Sequence, residues 1–177
     1  MLVIFTNNCW AIGLRTFVAL PLAKGDFVFR FLDVHNTETD KNVFKVAGVY
    51  GINDKNTLFV AAPYRINPAG NNRTGDVSVL YRYMIMQNDW PEGTVRLGLL
   101  AGGAIPTTRM SDGGAKAGAV GTYYHNRHEV DADIIGMQGF NKTPDNLRYD
   151  VSWQYRLYPA TYPEWGLVSS VNGIVEY

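Results

Sequence analysis

The sequence predicts an all-β chain, an up-and-down antiparallel transmembrane-type β-barrel with about 8–10 strands in this chain. Three observations carry that expectation. Apolar and polar residues alternate with period two along most of the chain, and no helical period of apolar residues outlasts a turn or so. Clusters of Gly, Asn, Asp and Pro separate the alternating runs at the spacing of a meander. The runs are also long. In 147–158, Leu147, Tyr149, Val151, Trp153, Tyr155 and Leu157 fall on one face of a strand, with Arg148, Asp150, Ser152, Gln154 and Arg156 on the other. That run slightly exceeds the roughly 9–11 residues that a tilted strand needs to cross a bilayer.

Composition agrees. The 177 residues suffice for one domain or one closed barrel. Lys plus Arg and Asp plus Glu balance at 16 each, which disfavours nucleic acid as a partner. Aromatic residues reach 13%, with 11 Tyr, which suits strands and interfacial girdles. No apolar run attains the roughly 18 residues of a transmembrane helix, whereas a barrel dilutes its apolar signal by half in every strand. The single Cys9 can form neither an internal bridge nor a Cys-rich metal site.

Residues 1–11 combine a short apolar run, Leu2 to Phe5, with Cys9-Trp10-Ala11, and read as the remnant of a signal peptide. No Lys or Arg precedes that run, so an ordinary first strand is the alternative. Residues 12–177 form a single β-barrel domain on this reading. A short alternating start at 14–20 ends at Pro21 and Lys24-Gly25. Strands follow at 27–34, with Phe27, Phe29 and Phe31 opposite Arg30, and at 43–50, with Phe44, Val46 and Tyr50 opposite Lys45. Asn53-Asp54-Lys55-Asn56 is a tight turn. The strand at 57–66 sets Leu58, Val60, Tyr64 and Ile66 against Arg65, with a bulge or break expected at Pro63. Residues 67–75 are a loop. Strand 76–87 alternates Val77, Val79, Tyr81, Tyr83 and Ile85 with Ser78, Leu80, Arg82 and Met84. Asn88 to Gly93 turns into 94–105, where Val95, Leu97 and Leu99 oppose Arg96. After a long loop at 106–114, strand 115–124 has small residues on both sides and no clear facing. His125 to His128 turns into 129–140, with Val130, Ala132 and Ile134 against Glu129, Asp131 and Asp133. The last strand covers 165–177. Compact turns near Asn53, Asn88 and His125 alternate with looser loops near Asn71 and Ser111, as the two rims of an outer-membrane barrel do.

The charged residues decide which face is which. Arg30, Lys45, Arg65, Arg82, Arg96, Glu129, Asp131, Asp133, Arg148, Asp150 and Arg156 all stand opposite the apolar set. At mid-depth in lipid each Arg or Lys would cost about 2–4 kcal/mol, so in a membrane they line the interior. There they form either a structural Arg–carboxylate ladder or a ring that selects a solute. In a soluble barrel of the lipocalin kind the same residues would be a solvated surface around an apolar core. Tyr50, Tyr64, Trp90, Tyr124, Tyr158 and Trp165, near strand ends, fit interfacial girdles or ordinary cross-strand packing.

Catalytic chemistry is sparse. His125, His128 and Glu129 share a turn without converging geometry for a metal, and no cofactor motif is present. No Gly-x-Ser-x-Gly accompanies Ser111 or Ser152, which leaves a membrane-embedded hydrolase as a remote option.

Four segments resemble the outer-membrane β-barrel family of phenol-degradation meta-pathway transporters. They are Leu20 to Phe27 (LPLAKGDF), Gly75 to Val79 with Tyr81-Arg82-Tyr83, Gly103 to Thr107 (GAIPT), and Arg148 to Arg156 (RYDVSWQYR). The resemblance implies the bacterial outer membrane, a lipid bilayer as partner, no enzyme activity, and passage of small, sometimes aromatic, organic solutes. Two departures accompany it. Ala104 stands where the family tends to place a lysine, and about nine strands are legible where single-chain bacterial barrels have an even number. An open edge is not viable in lipid, so either the sequence is a fragment or its first residues pair with the last strand. Val171, Val175 and Tyr177 resemble a barrel-assembly signal.

Overall fold

The computed structural model describes residues 3–4, 19, 22–36, 41–67, 73–108, 111–158 and 169–176. The period-two runs become β1 (Val3–Ile4), β2 (Phe27–Asn36), β3 (Lys41–Asn53), β4 (Asn56–Asn67), β5 (Val77–Trp90), β6 (Gly93–Ile105), β7 (Gly114–His125), β8 (His128–Gly139), β9 (Asn146–Tyr158) and β10 (Ser169–Glu176). Each lies beside its neighbours in sequence, so one antiparallel, up-and-down sheet of 10 strands results. It curls into a half-barrel. From β2 to β9 the strands run from 10 to 14 residues, longer than the five or six typical of globular sheets. No helix occurs among the described residues.

Turn chemistry sets the two rims. Asp54 and Lys55 join β3 to β4, with Asn53 Oδ1 accepting from Lys55 N at 3.0 Å and from Asn56 Nδ2 at 2.7 Å. Such an Asx side chain replaces the backbone bonds that the turn loses. Pro91 and Glu92 join β5 to β6; Asn126, at φ 55°, and Arg127 join β7 to β8. These two-residue hairpins share one rim. At the other rim the longer loops are laced together rather than loose. Ser111 Oγ hydrogen-bonds Asp76 and lies 3.2 Å from Thr143 Oγ1. Asp112 Oδ2 accepts from Lys142 N at 3.0 Å, and Gly113 (φ 74°) accepts from Phe140 N at 3.0 Å.

Several expectations need correction. Pro63 does not break its strand, because it pairs with Lys45 in continuous register. Its missing donor points to the β5 side, where the ladder already ends at Ala61, and its carbonyl accepts from Gly75 N at 3.0 Å. The irregularities fall instead at Asn42/Val43 and Gly51/Asn53 in β3, at Met84/Met86 in β5 and at Ser169/Ser170 in β10. Val3 and Ile4 pair with β2 at Arg30 and Phe29. Among the described residues no pairing joins β1 to β10. The rest of 1–11, Cys9 included, the start at 14–20 apart from Ala19, Trp165 and Tyr177 lie outside the described residues.

Ala19 and Leu22, ahead of β2, are buried against side chains of the sheet, which the sequence did not announce. Ala19 is fully buried against Leu80, Met84, Leu100, Val120 and Ile135, and its N–H donates to Thr122 Oγ1 at 2.8 Å. Leu22 packs on Val28 and Val49. The chain then crosses β3, with Gly25 N to Gly51 O at 2.8 Å and Gly51 N to Asp26 O at 2.9 Å. Ala23 O lies 2.2 Å from where a Cβ on Gly51 would stand, so only glycine admits this approach. Gly51→Val is expected to lift the segment off and to cost about 1–3 kcal/mol, the usual overpacking penalty. The urea unfolding midpoint of the refolded protein measures it.

Candidate functional site

The pleat sorts the side chains by face, and curvature then decides which face meets solvent. Among the described residues 23 large apolar side chains are exposed and nine apolar residues are buried. The exposed ones belong to the alternating apolar sets: Val46 in β3, Tyr81 in β5, Leu99 in β6, Ile134 in β8, and Tyr149, Val151 and Trp153 in β9. They cover the convex face from strand to strand. On the concave face Arg82, Asp131 and Arg156 are each 1% exposed. A soluble sheet packed on its apolar face would show the reverse.

Three arginines are held in three ways. Arg82 donates to Thr57 Oγ1 at 2.8 Å and lies over the Phe59 ring, 5.2 Å from its centroid. Its stem passes over Gly98, where a Cβ would sit 3.1 Å from Arg82 Cγ. Arg156 repeats the arrangement with one residue, donating to Tyr124 Oη at 3.2 Å with its guanidinium 5.2 Å above that ring. Arg148 is the true carboxylate bridge. Its Nη2 donates to Asp133 Oδ1 at 3.1 Å and its Nε lies 2.9 Å from Asp150 Oδ2. Asp133 and Asp150 are direct cross-strand partners, a like-charge pair that Arg148 offsets.

The remaining charges distribute unevenly. Arg96 pairs with Asp89 at 2.8 Å near the hairpin rim, where Asp89 also accepts from Thr94. Asp131 accepts from Thr122 Oγ1 at 2.6 Å and stands opposite Ser152 in the register. Glu129 is buried at the hairpin end of β8. Lys45 and Arg65 are exposed. Arg82 and Arg156 are each held by a hydroxyl and an aromatic ring, and Arg148 by two carboxylates.

Tyr124, which fitted either an interfacial girdle or cross-strand packing, faces inward beneath Arg156. The outward ring system at the hairpin rim is made by Trp90 with Tyr123 (6.3 Å) and by His128 with Trp153 and Tyr155. Trp153 Nε1 donates to His128 Nδ1 at 3.2 Å, which occupies that imidazole with an aromatic partner. His125 sits at the same rim beside Asn126, whereas Ser111 belongs to the opposite one. Among the described residues no three His, Cys, Asp or Glu side chains gather as a metal site requires.

Lys116, Thr57 and Thr122 were not singled out as interior residues. Lys116 sits on β7, whose small residues on both faces hide its facing, and it donates to Ser78 Oγ at 2.8 Å. Its even-numbered partners Thr122 and Tyr124 were the available signal. Comparison with protein-family models, curated proteins and solved structures finds no match to this chain.

Proposed function

We propose that this chain is a non-enzymatic β-barrel protein of the bacterial outer membrane, whose convex face meets lipid and whose concave face lines a passage for small organic solutes. The inverted distribution of side chains carries this reading: large apolar residues stand exposed on the outside while Arg, Asp and Glu side chains are buried within. Lipid satisfies the first half of that arrangement and would penalise its reverse by about 2–4 kcal/mol for each Arg or Lys at mid-depth. Strands of 10 to 14 residues match the span that a tilted strand must cover. The aromatic cluster at the hairpin rim suits a headgroup boundary. The four segments that resemble the meta-pathway transporter barrels support the same class and suggest aromatic compounds among the solutes.

The experiment is extraction followed by reconstitution. The protein is expected to fractionate with outer membranes, to need detergent for solubility, and to make lipid vesicles swell in an uncharged small solute. Recovery from the soluble fraction as a detergent-free monomer would end the membrane reading. Insertion without swelling would leave a lipid-embedded barrel and remove the passage.

A further inference from the structure

The two-residue turns Pro91-Glu92 and Asn126-Arg127 lie side by side at the hairpin rim, where Asn126 N donates to Glu92 O at 2.8 Å. An open cavity of about 500 Å³ is lined by both turns together with Tyr124, His128 and Tyr155. Sites that hold small ligands commonly measure roughly 300–1,000 Å³. The Arg127 wall is braced by its own backbone and side chain. Arg127 O accepts from Arg156 N at 2.9 Å, and Arg127 Nη1 donates to Leu157 O at 3.1 Å.

Opposite charges share this cavity without meeting. Glu92 is exposed, and among the described residues its carboxylate takes part in no hydrogen bond or ion pair. Arg127 uses one guanidinium donor on Leu157 O and forms no ion pair among those residues. A guanidinium carries five N–H donors, so most of them remain. His128 Nδ1 accepts from Trp153 Nε1 at 3.2 Å, so the neutral ring carries its hydrogen on Nε2 and has a donor to offer. The complement of this arrangement is a zwitterion, with an anion for Arg127 and His128 and a cation for Glu92. Apolar surface adjoins it. His128 and Tyr155 are cross-strand partners with rings 4.9 Å apart, and the next outward pair, Val130 and Trp153, is exposed on the convex face.

We infer that this cavity holds the headgroup of an ethanolamine phospholipid. The phosphodiester sits at Arg127 and His128, the primary ammonium at Glu92, and the acyl chains run over Val130 and Trp153. The inference rests on the membrane reading for its source of lipid but not for the chemistry of the cavity. Both ionic contacts are charge-assisted hydrogen bonds, the stronger kind. A carboxylate suits a primary ammonium, which donates three hydrogen bonds, whereas a quaternary ammonium has no N–H to give.

The test is calorimetric titration of the detergent-folded protein with glycerophosphoethanolamine and, separately, with glycerophosphoglycerol, which has the same diester and no ammonium. The first is expected to bind at least about tenfold more tightly. Glu92→Gln should abolish that preference and Glu92→Asp retain it, while Arg127→Met should weaken both probes alike. Dihexanoyl phosphatidylethanolamine should bind at least as tightly as the bare headgroup. Equal binding of the two headgroups, no saturable binding, a preference unchanged in Glu92→Gln, or affinities unchanged in Arg127→Met would each overturn the inference. Exclusion of the acylated probe would overturn it too, since the cavity would then take a free headgroup and not a lipid. Should Arg127→Met fail to fold, the Glu92 variants, altered only at an exposed turn, still decide. Headgroup binding by a protein that needs no detergent would sink the membrane reading and spare the cavity's chemistry. A detergent-requiring protein that binds neither headgroup would sink the site and spare the membrane.

Discussion

On the proposed membrane reading, Ile134→Arg is expected to destabilise the protein in lipid vesicles by about 2–4 kcal/mol, the penalty for an Arg at the midplane of a lipid-facing strand. Ile134 lies in the middle of β8 on the convex face and is already 47% exposed. In water an exposed position of this kind tolerates substitution within about 0.5 kcal/mol, since the guanidinium gains solvent and the lost apolar area was half open. The two environments therefore differ by several-fold on one side chain. Urea unfolding of the variant and of the unaltered protein, each folded into lipid vesicles, measures it. An Ile134→Arg protein as stable in vesicles as the unaltered one would show that this face does not meet lipid. Leu99, exposed on β6, supplies a second position for the same substitution.

Period two made most of this architecture legible. Residues 147–158 name both faces of β9 without reference to any partner, because a strand leaves each side chain one choice of side. The two-residue turn at Asp54 and Lys55 and the hairpin at Asn126 and Arg127 were equally visible, since Asn and Asp tolerate the backbone those turns impose. The facing of β7 was hidden because Gly114, Ala115, Ala117, Gly118, Ala119 and Gly121 offer no contrast between faces. Lys116 was overlooked for that reason.

Other features escaped for a different reason. Alternation gives the direction of a side chain, not its partner. Arg82, Arg148 and Arg156 look equivalent in the sequence, yet one takes a hydroxyl and a Phe ring, one two carboxylates and one a Tyr. Partners depend on register and curvature, which alternation along one strand does not encode. Ala19 escaped entirely, because one small residue seated among Leu80, Leu100 and Ile135 creates no pattern along its own chain. The interior is accordingly less polar than alternation suggested: Leu80, Met84, Leu100 and Val120 are buried on the concave side around Ala19.

Arg148→Met should be the most damaging change on the concave face. It leaves the carboxylates of Asp133 and Asp150, direct partners across β8 and β9 with side chains 0% and 2% exposed, without their shared bridge. Removing one member of a buried ion pair costs about 3–5 kcal/mol, because an uncompensated charge stays in a poor solvent for it. The Arg148 side chain is 40% exposed, so water already screens part of its field, and a loss of about 3 kcal/mol is expected. Arg148→Lys keeps the charge but offers no planar fork to hold two carboxylates at once, so its loss should fall between. The decisive comparison is Arg148→Met with Asp150→Asn added. If the damage comes from like charges left side by side, the second substitution removes one of them and recovers at least about 1 kcal/mol, a coupling well outside additive error. If Arg148 acts only through its packed stem, adding Asp150→Asn brings a further loss, and the unfolding midpoints of the two variants will separate in the opposite direction.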